Sequence, residues 1–146
     1  MAIRRATQAE ANYIVQLCGK VMKESSMGYA ENGVQNAYNL FMPIIQNGGY
    51  FLIDIENGRV RGWILLATDW NAVKGQVMGN LLSAYVFPKF RRSGVALDLA
   101  TAAINELKAL GIRTIQINVF DGNPSRILCE KLGFKPVSTV MELDIQ

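Results

Sequence analysis

Residues 81–96 read Leu81-Leu82-Ser83-Ala84-Tyr85-Val86-Phe87-Pro88-Lys89-Phe90-Arg91-Arg92-Ser93-Gly94-Val95-Ala96. The segment 81–87 is strand-forming, and Pro88, which lacks an N–H, stops the ladder. The turn 90–96 then opens a helix at its positive dipole end, where several backbone N–H groups lack helical partners. Lys89, Arg91 and Arg92 stand at the same corner, Gly94 has no Cβ and Ala96 only a methyl, so the corner reads as a seat for an anion such as phosphate.

The helix that follows is marked by Val95, Leu99, Ala103, Leu107 and Leu110 at helical spacing, with Gly111 placed to cap its end. Thr114 to Phe120 then alternates Ile115, Ile117 and Val119 inward. A strand, a helix and a strand in this order make a right-handed crossover, so the strand at 113–120 is expected to pair parallel with the one at 81–87.

Upstream, Tyr50 to Glu56, the pair Asn57-Gly58 and Arg59 to Trp70 form a hairpin signature, because Asn-Gly accepts the positive φ angles of a type I′ turn. Gln76 to Phe87 follows antiparallel, with Gly79 read as a bulge. Near the start, Ile3 to Ala6 suits a short strand, and Thr7 with Glu10 three residues on makes a capping box for a helix at 8–23. Val34, Ala37, Tyr38, Phe41 and Ile45 mark a second helix, expected to be interrupted near Pro43. Past the crossover, Asn123-Pro124 opens a short helix to Leu132, Gly133 ends it, and Phe134 to Ile145 is expected to supply one or two closing strands.

The fold class is α+β: one domain over 1–146, a mostly antiparallel mixed sheet with one parallel β-α-β crossover, flanked by about four helices. A net charge of +3, concentrated only at 89–92, gives a local anion site and no extended nucleic-acid face. Cys18 and Cys129 have neither CxxC spacing nor any histidine as companion, so they read as free thiols in a reducing compartment, without a metal site. The first residues hold no apolar run of signal length, and no stretch reaches the roughly 20 apolar residues of a membrane span, so a soluble, cytoplasmic protein is expected.

The stretch Val86 to Ala96 resembles the acetyl-CoA signature of the GNAT (Gcn5-related) N-acetyltransferases, a strand followed by Arg/Gln-x-x-Gly-x-Gly/Ala, with Arg91, Gly94 and Ala96 at its defined positions. Asn123-Pro124-Ser125-Arg126-Ile127-Leu128-Cys129-Glu130-Lys131-Leu132-Gly133-Phe134 is similar to a second motif of that family. The resemblance implies a GNAT-like fold and transfer of acetyl from acetyl-CoA to the amine of a small molecule or peptide, without metal or membrane, and it admits a homodimer. It implies that the strand edge Ala84, Tyr85 and Val86 bonds the pantetheine amides. Arg91 and the amides of Arg92, Ser93, Gly94, Val95 and Ala96 would hold the pyrophosphate, and Asn123 the pantetheine arm.

Two positions depart from the family pattern. Cys129 stands where many members carry a tyrosine that protonates the departing thiolate, and the strand offers Asn80, Leu82 and Ser83 where relatives carry a glutamate base. Cys129, Asn80 and Ser83 are therefore the catalytic candidates, with a water held by Asn80 or Ser83, or Glu24, Glu31, Asp69 or Asp121, as the base. The alternative is a GNAT-shaped module that binds CoA or a protein partner without transfer. A nucleic-acid module working through Lys89, Arg91 and Arg92 is the third reading, disfavoured because these cations form a corner and not a face.

Overall fold

The computed structural model describes residues 2–146. Its elements are β1 (Ala2–Arg5), α1 (Gln8–Ser25), α2 (Val34–Gln46), β2 (Tyr50–Glu56), β3 (Arg59–Asn71), β4 (Gln76–Val86), a 3-10 turn (Pro88–Phe90), α3 (Val95–Ala109), β5 (Ile115–Ile117) and α4 (Ser125–Lys131). The strands form one sheet in the order β1-β2-β3-β4-β5, antiparallel except for the β4–β5 pair. Four helices on a five-stranded mixed sheet is the expected class, and among the described residues no helix is long and apolar enough to cross a membrane.

The sheet separates two cores. Ile14, Val15 and Cys18 of α1 and Ala37 and Phe41 of α2 pack on Phe51, Ile53, Trp63 and Leu65. Val95, Leu99, Ala103 and Leu107 of α3 pack on the opposite face against Leu52, Ile64, Leu66 and Leu81. The alternation of strand side chains produces this division, Leu52, Ile64 and Leu66 facing α3 while Phe51, Ile53, Trp63 and Leu65 face α1 and α2.

Local chemistry sets the element ends. The Thr7 hydroxyl accepts from the Glu10 amide at 3.2 Å while Glu10 accepts from the Thr7 amide at 2.8 Å, closing the capping box. Arg4 grips the same carboxylate through two nitrogens at 2.8 and 2.9 Å and ties β1 to α1. Asn57 and Gly58 take φ angles of 53° and 74°, as the tight hairpin demands.

Four expectations need correction. Helix α2 runs through Pro43 without interruption, because its apolar stripe packs on both sides of that residue and the proline removes only one backbone donor. Gly79 is not a bulge: a Cβ there would lie 2.8 Å from Leu107 Cδ1, so the glycine admits α3 against the sheet. The bulge falls at Leu82, since Leu66 faces Leu81 and Leu65 faces Ser83. The parallel pairing is shorter than expected, joining only Gly79–Leu81 to Ile115–Ile117. Finally, residues 134–146 form no strand, and their main chain past Phe134 makes no hydrogen bond to other main chain among the described residues.

Candidate functional site

The Leu82 bulge creates the site. It bends β4, so the strand leaves β5 after Leu81 while staying paired to β3 as far as Val86. From Leu82 to Val86 the β5-facing edge is therefore open. The Phe87 amide donates to the Arg61 carbonyl at 3.0 Å, which orients Phe87 toward β3; by alternation the main-chain groups of Val86 and Ala84 face the gap and those of Tyr85 face β3. Arg91 Nε donates to the Val86 carbonyl at 2.8 Å from the open side, consistent with that orientation.

The open edge leads directly to the N-terminus of α3. Arg92 and Gly94 hold positive φ angles of 64° and 87°. Among the described residues, the amides of Arg92, Ser93, Gly94, Val95, Ala96 and Leu97 donate to no protein acceptor, the first helical bond being Asp98 N–H to the Gly94 carbonyl at 3.0 Å. A Cβ on Gly94 would meet nothing within 4 Å, so open space fronts these amides. With Lys89, Arg91 and Arg92 exposed around it, the turn fits a diphosphate.

Arg91 is already engaged. Its terminal nitrogen donates to Glu24 at 2.7 Å, Tyr85 Oη donates to the other oxygen of that carboxylate at 2.9 Å, and the guanidinium lies 5.2 Å from the Tyr85 ring centre. The Arg91 hydrogen bond is the main cause holding the Glu24 carboxyl below its ordinary pKa, with Tyr85 contributing. Tyr85 itself is pushed up, first by burial and then by Glu24, so it remains a neutral donor. This knot joins the end of α1 to β4 and the turn before α3, and nothing local in the sequence announces a contact 67 residues apart.

The catalytic candidates are scattered. Ser83 Oγ accepts from Trp63 Nε1 at 3.2 Å and lies 3.7 Å from Cys18 Sγ, on the α1 face of the sheet. Asn80 sits in the paired part of β4, opposite Ala67 and Gln116. Cys129 is buried in α4, its thiol pushed up first by burial and then by Glu130, and it makes no hydrogen bond to Asn80 or Ser83. The Asn123 side chain accepts from the Ser125 amide at 2.9 Å, which starts α4 and leaves its amide nitrogen to donate elsewhere. Of the other carboxylates, Asp69 caps the Trp70 amide at 2.8 Å and Glu31 lies 3.9 Å from Lys23. Trp63 is wholly buried against Tyr85 and Phe87, whereas Tyr29 and Trp70 are exposed.

Solved acetyltransferase structures share this overall fold. The chain belongs to the GNAT acetyltransferases: the pattern of the Acetyltransferase (GNAT) family matches residues 20–134. A Pyrococcus furiosus protein assigned as an acetyl transferase superposes with a TM-score of 0.82 at 15% identity, covering 99% of both chains. An aminoglycoside antibiotic 6′-N-acetyltransferase from Acinetobacter haemolyticus gives 0.72 at 19%, over 100% of this chain and 99% of its own. A predicted acetyltransferase from Clostridium acetobutylicum solved with acetyl-CoA gives 0.78 at 19%, over 98% and 95%. No curated protein matches the chain in sequence.

Proposed function

We propose that this protein is an acetyl-CoA-dependent N-acetyltransferase that transfers acetyl directly to an amine in a ternary complex, working in the cytoplasm. The observation that carries the reading is the continuity of the open β4 edge with the unpaired amides of residues 92–97. An extended amide-bearing arm with a diphosphate at one end matches both parts in one piece. Family membership and the neighbour solved with acetyl-CoA support the same donor.

In this reading Ala84 and Val86 align the pantetheine arm, Asn123 steadies it, and the Val86 amide polarises the thioester carbonyl. The neutral amine attacks the carbonyl carbon, the C–N bond forms, the tetrahedral oxyanion collapses and the C–S bond breaks. The amine proton leaves through water, with Asn80 or Ser83 holding the relay, and the thiolate takes a proton from solvent or from the Cys129 thiol. Since burial pushes that thiol up and so weakens it as an acid, orientation supplies most of the acceleration. The acceptor is a small molecule or peptide amine; Glu24, Glu31 and Asp69 near the helical loop and hairpin end favour a cationic one.

Free-thiol release from acetyl-CoA over a panel of amines tests transfer; binding without any turnover would favour a CoA-binding module. Arg91→Glu, measured by calorimetry, should weaken CoA about 10- to 100-fold, as expected for a lost charge-assisted phosphate contact. Unchanged affinity would remove the phosphate assignment.

A further inference from the structure

A buried acid stands in the sheet with no part in the open edge or the catalytic candidates. Asp54 of β2 is fully buried, and by alternation from Leu52 it lies on the α3 face. Its Oδ1 accepts from Arg61 Nε at 2.7 Å, while Oδ2 accepts no hydrogen bond among the described residues. The Arg61 side chain is only 15% exposed, and its Nη1 lies 3.0 Å from a Glu56 oxygen. A buried pair with one oxygen unsatisfied is a poor source of stability, since two aliphatic side chains would hold the strands as well. What the pair supplies instead is direction.

The register shows where it points. Asp54 faces Gly62 and Ile55 faces Val60, so Arg61 is the extra residue of a bulge in β3, and a bulge re-aims the residue it carries. Here it turns the guanidinium onto two carboxylates of β2 and leaves the Arg61 carbonyl to accept from the Phe87 amide at 3.0 Å. Pro88 has no N–H, and beyond Phe87 no main-chain bond joins this end of β4 to β3 among the described residues. The Phe87 carbonyl in turn accepts from the Phe90 amide at 2.9 Å, and the Phe90 carbonyl accepts from the hydroxyl of Ser93, which stands among the free amides of residues 92–97. The field of α3 reaches the same group. Arg61 is pushed above its ordinary pKa first by the Asp54 hydrogen bond, with Glu56 and Asp98, in the first turn of α3, adding to it.

We propose that Arg61, clamped by Asp54 and Glu56, is a positioning residue for the turn before α3: the relay from Arg61 through Phe87 and Phe90 to Ser93 fixes where β4 ends, and so where the amides of residues 92–97 stand. The consequence for the donor rests on reading those amides as the seat of its diphosphate.

Hydrogen exchange in the free protein reads the relay directly. Asp54→Leu combined with Arg61→Met removes both charges of the buried pair together and should leave the thermal midpoint close to wild type. It should nevertheless speed exchange of the Phe87 amide at least about tenfold relative to that of Tyr85, which faces β3 opposite Trp63, two residues deeper. Arg61→Lys keeps the charge but not the planar fork that grips two carboxylates, and should move Phe87 in the same direction by less, whether or not the double variant folds. Calorimetry should show CoA bound about 3- to 10-fold more weakly by the double variant, the worth of one neutral hydrogen bond. Equal acceleration of Phe87 and Tyr85, or none, would make the pair merely structural and overturn the proposal, as would faster Phe87 exchange with CoA affinity unchanged. Wild-type protein that binds no CoA would overturn the diphosphate reading instead, and the exchange result would still decide whether Arg61 holds the turn.

Discussion

Glu24 and Arg91 make opposite demands on the turn proposed to hold the diphosphate. The guanidinium bonds the Val86 carbonyl of the open strand, but a carboxylate holds one of its nitrogens at 2.7 Å and adds negative charge where the proposed diphosphate would settle. Both side chains are nearly half exposed, so their attraction is worth only about 0.2–1 kcal/mol. Glu24→Gln should therefore tighten CoA binding by up to about fivefold, the reverse of Arg91→Glu, with the gain shrinking as salt rises. Isothermal titration at two ionic strengths measures it, and a loss of affinity would mean that Glu24 positions Arg91 instead of competing for it. The cationic corner, Gly94 and Asn123 were all visible as residue types in their sequence context. The knot of Glu24, Tyr85 and Arg91 was not, because it depends on α1 ending beside β4, and no local period encodes such a meeting.

Among the elements, α1 has the most sharply specified start. Thr7 satisfies the Glu10 amide, Glu10 satisfies the Thr7 amide, and Arg4 binds the same carboxylate from β1. Arg4 and the Thr7 amide together lower the Glu10 carboxyl to about 2. A carboxyl depressed on folding adds stability that is full above its unfolded value near 4.3 and is lost as pH falls toward 2. Wild type should thus exceed Glu10→Gln in urea midpoint at pH 6, and the difference should narrow sharply by pH 2.5 and close only below pH 2; a constant difference would separate the effect from ionisation. Thr7→Ala should cost about 1 kcal/mol at either pH. The box was legible because capping is local. The bulge at Leu82 and the short β4–β5 pairing were not, since a strand's partner is set by what packs above it, here Leu107 over Gly79. The closing strand expected over 134–145 does not form, because main chain past Phe134 finds no main-chain partner among the described residues.

At the scale of the molecule, the sheet lies between two cores, and β4 and β5 part beyond Leu81 and Ile117. A ligand lying along Ala84 and Val86 and ending on residues 92–97 would bridge β4 and α3, and through Asn123 also α4, replacing hydrogen bonds that the protein alone leaves open. Binding only the folded state raises stability by RT ln(1 + [L]/Kd), about 2.7 kcal/mol at a hundredfold excess over Kd. For a chain of 146 residues that corresponds to a rise of roughly 5–11 °C in the thermal midpoint. Both CoA and acetyl-CoA should produce it, because the contacts involved are to the pantetheine and diphosphate and not to the acetyl group. In Arg91→Glu, at the same ligand concentration, the shift should fall below about 3 °C if affinity drops a hundredfold. Differential scanning calorimetry with and without ligand checks this, and an equal shift in the variant would place the stabilising contacts away from the α3 N-terminus.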